Sequence, residues 1–194
     1  MASMMLSELQ KKKLTRKFRL LDFDNNGTIE QADFQRVLEN LVKNRNLSMT
    51  SHKIQGLRKT VDKVWSALHR FCDADHDGQV TLDEWLSFHH EAIRHEREML
   101  ESLPGHESTI DAMTALVFEL LDVEGDGRIG LGDYQHFCRA YGVPDEEIRP
   151  SFAKLDRNSD GYLSRAEILQ LVIEFYCSDD PNSPGNHFFG QLAV

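Results

Sequence analysis

The chain has 194 residues, a formal net charge of −10 and 40% hydrophobic residues, enough for one domain or two small ones with a real core. The acidity argues against nucleic acid, which needs a basic face, and no apolar run approaches the roughly 20 residues of a membrane span. Cys72, Cys138 and Cys177 form an odd set without CxxC spacing, which points to reduced thiols in a cytosol rather than a disulfide framework.

The first residues, MASMMLSELQKKK, place their charges after a short apolar stretch, the reverse of a signal peptide. Ala2 stands where myristoylation needs glycine, so a cytoplasmic protein is expected. Ser7 and Gln10 fit a capping box, and Leu14, Phe18 and Leu21 follow at helical spacing. Lys11, Lys12, Lys13, Arg16, Lys17 and Arg19 interleave with them and read as the wet face of that helix. Docking on a membrane surface or a partner is the alternative for this cluster, and the membrane is not the expected partner.

A twelve-residue pattern then recurs. DFDNNGTIEQAD spans 22–33, DADHDGQVTLDE 73–84, DVEGDGRIGLGD 122–133 and DRNSDGYLSRAE 156–167. Each has Asp at position 1, an acid or Asn at 3 and 5, Gly at 6, an aliphatic residue at 8 and an acid at 12. This is the pattern of an EF-hand loop. Ca²⁺ takes six to eight hard oxygens at about 2.3–2.6 Å. Alternate side chains of a tight turn point inward, position 7 offers its carbonyl, and position 12 closes the sphere from the exiting helix. Position 6 reverses the chain, which favours glycine. Position 8 faces away and bridges to a partner loop.

The candidate ligands follow. Loop I offers Asp22, Asp24, Asn26, the Thr28 carbonyl and Asp33, with Glu30 beside them. Loop II offers Asp73, Asp75, Asp77, the Gln79 carbonyl and Glu84. Loop III offers Asp122, Glu124, Asp126, the Arg128 carbonyl and Asp133, and loop IV Asp156, Asn158, Asp160, the Tyr162 carbonyl and Glu167. Up to four Ca²⁺ ions are expected. Asp at position 12 is one methylene shorter than Glu, so it favours a six-oxygen shell of the kind Mg²⁺ prefers. Loops 22–33 and 122–133 are therefore expected to accept Mg²⁺ more readily than the other two.

The helices flanking the loops are periodic. Phe34, Val37, Leu38, Leu41 and Val42 leave loop I; Ile54, Leu57, Val61, Val64, Trp65 and Leu68 enter loop II. Trp85, Leu86, Ala92, Ile93, Met99 and Leu100 leave it, and Ile110, Met113, Leu116, Val117 and Leu120 lead to loop III. Leu131, Tyr134, Phe137 and Cys138, then Ile148, Phe152 and Leu155, then Ile168, Leu171, Val172 and Phe175 complete the set. Thr81 with Glu84, and Ser164 with Glu167, fit capping boxes inside their loops. Breaks are expected at LPGH over 103–106 and at YGVP over 141–144.

The uneven spacing of the loops, together with KFRLLDFDNNGTIEQADF over 17–34 and the tail PNSPGNHFFGQLAV, resembles the sarcoplasmic calcium-binding proteins, calexcitin and calerythrin. The resemblance covers essentially the whole chain. It implies an all-α fold of four EF-hands in two pairs, packed face to face into a compact globule, with short β bridges between paired loops. The expected parts are an N-terminal pair over 1–103, a C-terminal pair over 104–178, and a tail over 179–194 that packs on the body. It also implies a monomeric Ca²⁺ buffer, or a sensor that would add a protein target. The alternative is a calcium-triggered carrier of a hydrophobic ligand, like the coelenterazine-binding proteins and photoproteins, with Trp65, Trp85, Phe88, Tyr134, Tyr176, His187, Phe188 and Phe189 lining a cavity.

No catalytic constellation is visible, so an enzyme is not expected. His89, His90, Glu91 and His95 miss the HExxH pattern because Arg94 occupies its last position; they read as the exposed side of a helix. Half of the six Met are Met1, Met4 and Met5, too few elsewhere for a Met-rich target groove, which favours a closed buffer.

Overall fold

The computed structural model describes residues 5–102 and 109–192. The break expected at 103–106 lies outside them, as do Met1, Ala2 and Met4 and the side chains of Met99, Leu100, Ile110 and Met113. The periodic segments form helices wherever they are described. They are α1 (Glu8–Leu21), α2 (Gln31–Asn44), α3 (His52–Cys72), α4 (Leu82–Ser102), α5 (Thr109–Leu121), α6 (Leu131–Ala140), α7 (Asp145–Leu155) and α8 (Arg165–Cys177). A 3₁₀ turn follows at Pro184–His187. Ser7 starts α1 as a capping box: its hydroxyl accepts the Gln10 N–H at 3.1 Å, while its own N–H donates to Gln10 Oε1 at 3.0 Å. Asp145, Glu146 and Glu147 place negative charge in the first turn of α7, where the helix dipole favours it. YGVP over 141–144 ends α6, with Gly142 at φ 73°.

Each loop contributes a two-residue strand: β1 (Thr28–Ile29), β2 (Val80–Thr81), β3 (Ile129–Gly130) and β4 (Tyr162–Leu163). β1 pairs antiparallel with β2, placing Ile29 opposite Val80, and β3 pairs with β4, placing Ile129 opposite Leu163. All four position-8 side chains are fully buried. The four hands are thus joined as two pairs, I with II and III with IV. The pairs face each other, with α2 along α6 and α1 along α8. Phe18 meets Trp85 edge-on at 6.2 Å, and Phe34 lies 5.6 Å from Trp65.

The tail lies on the C-terminal pair. Phe188 and Phe189 are buried, and Phe189 meets the rings of Phe137, Tyr141 and Phe175 at 5.9, 5.7 and 5.1 Å. The Tyr134 hydroxyl reaches the His187 and Phe188 carbonyls at 3.2 and 3.0 Å. Glu174 Oε2 accepts the Gly185 N–H at 2.9 Å. A Cβ at Gly185 would stand 2.5 Å from the Leu171 carbonyl oxygen, so only glycine allows this approach to α8.

Two expectations change. Lys13 belongs to the core, not the wet face of α1: it is fully buried, and its ammonium donates to the Glu174 and Ser178 carbonyls at 2.9 and 2.8 Å. The Glu174 carbonyl already accepts the Ser178 N–H at 3.1 Å, so Lys13 adds a second donor there and also satisfies the Ser178 carbonyl just past the end of α8. Lys17 aims its ammonium at the Tyr176 hydroxyl, 2.5 Å away, with the Trp85, Tyr176 and Phe189 rings 5.2–5.4 Å off. Burial pushes both ammonium groups down to about 8. His89, expected on an exposed face, is buried between Trp85 and Tyr176. Among the described residues no helix is long and apolar enough to cross a membrane.

Candidate metal centres

All four loops share one backbone turn. Position 6 is left-handed in each: Gly27 at φ 89°, Gly78 at 89°, Gly127 at 78° and Gly161 at 87°. Position 4 is left-handed too, at Asn25, His76, Gly125 and Ser159. The sequence gives no strong sign of this second reversal, because Asn and Gly tolerate it readily while Ser does so rarely.

The turn gathers backbone N–H groups on the position-1 carboxylate. Gly27, Gly78, Gly127 and Gly161 each donate to Oδ2 of Asp22, Asp73, Asp122 and Asp156 at 3.0, 3.1, 3.0 and 2.9 Å. The position-5 side chains of Asn26, Asp77, Asp126 and Asp160 accept the N–H of position 7 at 2.8–2.9 Å. At position 12, Asp33, Glu84, Asp133 and Glu167 each accept the N–H of position 9, three residues back, at 2.8–3.1 Å. In loops I and II the second position-12 oxygen accepts the N–H of position 2, Phe23 at 3.1 Å and Ala74 at 2.9 Å, tying the loop ends together.

Three observations favour a cation. Asp73, Asp75 and Glu84 bring ligand oxygens within 4.8 Å of one another in loop II, the one such acidic group among the described residues. Asp156 Oδ1 is buried with no hydrogen-bond partner, a cost that a cation would remove. In loop I, burial, together with the charges of Asp24 and Asp22, raises the Asp33 carboxyl above its ordinary value. The N–H groups oppose carboxylate repulsion elsewhere. Burial alone would raise Asp73, but the N–H groups of Gly78, His76 and Asp77 and the His69 ring outweigh it and hold its pKa below the usual range.

Loop III departs from its sisters. Asp133 Oδ1 accepts from the Arg45 guanidinium at 3.1 Å, and Glu124 lies 3.7 Å from the same group. Arg45 was not a sequence candidate. It ends α2, 88 residues from Asp133, and nothing local marks it.

The family model for the EF-hand domain pair matches residues 11–88 and 111–173. The chain belongs to the EF-hand family. Within it, the sarcoplasmic calcium-binding protein alpha chain of Penaeus vannamei is 27% identical over 183 residues, spanning 90% of this chain and 91% of that one. Calerythrin of Saccharopolyspora erythraea is 22% identical over 172 residues, spanning 89% of this chain and 94% of that one. Among solved structures, the coelenterazine-binding protein of Renilla muelleri, in its Ca-loaded apo form, matches with a TM-score of 0.71 at 21% identity, over 96% of this chain and 100% of that one. None of the three is named for a catalytic activity. Across the EF-hand loops of this chain the acids, the turn glycine and the bridging residue keep one register.

Proposed function

We propose that this EF-hand protein binds Ca²⁺ at its four loops and acts as a closed intracellular Ca²⁺ and Mg²⁺ buffer. The ligands are the side chains at positions 1, 3, 5 and 12 and the carbonyl of position 7: Asp22, Asp24, Asn26, Thr28 and Asp33 in loop I, and their counterparts in loops II to IV. Two EF-hand pairs and a tail from 179 onward form its working parts. The observation that carries the reading is the tail itself. Phe188 and Phe189 are buried against Phe137, Tyr141 and Phe175, filling the kind of apolar face that a sensor exposes to its target. The Asp-closed loops, I and III, are the ones that take Mg²⁺ readily.

Isothermal titration with each ion tests this, read alongside a dye for exposed apolar surface. The expected result is a stronger Ca²⁺-over-Mg²⁺ preference at loops II and IV and no rise in dye binding on loading. Equal preference at all four loops would refute the ion assignment, and a large dye response would turn the reading to a sensor.

A carrier reading rests on the inward cluster of Trp85, His89 and Tyr176 around Lys17. Their polar ends already have partners: the Trp85 indole N–H reaches the Leu14 carbonyl at 3.1 Å, and His89 Nδ1 reaches the Trp85 carbonyl at 2.7 Å. Adding coelenterazine separates the two readings. A red-shifted absorption released by Ca²⁺ supports the carrier, and an unchanged spectrum supports the buffer.

A further inference from the structure

We propose that Arg45 is a resident cation of the third loop: it occupies Asp133 and Glu124 until a divalent ion displaces it, which makes loop III the last of the four to fill. The inference rests on the Ca²⁺-binding reading above and deepens it.

Asp133 is the position-12 acid that has to close the coordination sphere. Its Oδ2 accepts the Gly130 N–H at 3.1 Å, as in the sister loops. Its Oδ1 accepts from Arg45 Nη2 at 3.1 Å, where loops I and II use the backbone N–H of position 2. That N–H, on Val123, bonds instead to the Leu121 carbonyl at 2.9 Å. The guanidinium therefore replaces the bond that ties the ends of the loop. It also donates to the Leu121 carbonyl at 3.1 Å, and Nη1 lies 3.7 Å from Glu124 Oε1, the position-3 acid.

The arginine is built in rather than draped over the surface. Its side chain is 5% exposed, and its Nε is buried without a hydrogen-bond partner. A basic residue at a helix C-terminus ordinarily complements its own helix dipole. Arg45 instead leaves the end of α2 and crosses to the other EF-hand pair, and the packing of α2 along α6 makes this reach possible. A unit positive charge on two of the four carboxylates in loop III opposes an arriving divalent ion. An exposed lysine would be screened and swing aside; a buried guanidinium hydrogen-bonded to two oxygens, with a third 3.7 Å away, has to be exchanged. Because α2 belongs to the first pair, filling loop III changes a contact between the two pairs.

The test is a Ca²⁺ titration of the ¹⁵N-labelled full chain, following the amides of Gly27, Gly78, Gly127 and Gly161. Each donates to the position-1 carboxylate of its own loop, so each reports one site. In the native chain the Gly127 signal should move last, and the Arg45 Nε–H signal should move with it and with no other glycine. In Arg45→Gln, which removes the charge but keeps a donor for Leu121, Gly127 should move at about tenfold lower free Ca²⁺, the equivalent of about 1.4 kcal/mol. Arg45→Lys keeps the charge but loses the fork, so its Gly127 transition should fall between those of Arg45→Gln and the native chain. Unchanged Gly27 and Gly78 transitions report an intact fold. The proposal is overturned if Gly127 is not last in the native chain, if Arg45 Nε–H moves independently of it, or if Arg45→Gln leaves the Gly127 transition where it was or raises it. If none of the four glycines responds to Ca²⁺, the ion-binding reading itself fails, which is a different result.

Discussion

His89 is enclosed by Trp85, Phe88 and Tyr176, and it holds its neutral form down to about 3, through burial first and the Lys17 charge second. An unfolded chain protonates that histidine below about 6.5. Between the two values the unfolded state binds the extra proton, so stability falls as pH drops through this window and levels off below the lower value. The contribution is up to about 1.4 kcal/mol per pH unit. In ion-free protein, melting temperatures at pH 7, 6 and 5 should fall less steeply for His89→Phe than for the native chain, and parallel slopes would contradict this account. The burial of His89, like that of Lys13, was not readable from the sequence. A residue at the edge of a helical stripe faces in or out according to what lies opposite. For Lys13 that is the end of α8, 161 residues away, and for His89 it is Tyr176. The loop positions were readable because local backbone geometry alone dictates their chemistry; Arg45 was not, because its partners belong to another element.

At the scale of elements, the helices and both β bridges were legible because period and loop register are local properties. The seat of the 3₁₀ turn on α8 was not, because it depends on one missing side chain. A Cβ at Gly185 would meet Leu171 O and Glu174 Cβ, each at 2.5 Å. Gly185→Ala should therefore lift Pro184–His187 from α8 and destabilise the fold by about 1–3 kcal/mol, measured by urea denaturation. The same variant should bind more apolar-surface dye than the native chain as Phe188 and Phe189 loosen. An unchanged denaturation midpoint with native dye binding would mean that the turn does not hold the tail in place.

For the molecule as a whole, charge is the governing quantity. The four loops hold half of the 32 acidic residues in a chain of net charge −10, and four divalent ions would bring that net charge to −2. The ion-free fold therefore works against its own repulsion, and N–H groups aimed at the carboxylates offset only part of it. Ion-free protein should gain stability when monovalent salt is raised from 10 to 150 mM, because screening shortens to about 8 Å. Ca²⁺-loaded protein should respond much less. Thermal melts under the four conditions check this, and an equal salt response in both states would rule out loop repulsion as the main destabilising force.

The bonds from Lys13 to the carbonyls of Glu174 and Ser178 also set a timetable for the newborn chain. α1 is synthesised well before α8, and the oxygens that receive its inner lysine are added 161 and 165 residues later. At typical translation speeds that delay lasts roughly 10–30 s. Loop I and then loop II are completed during it, while α1 still lacks the surface on which it finally rests. Closure of the globule around Lys13 therefore waits for α8, and a nascent chain stalled before α8 should carry α1 open to chaperones and proteases.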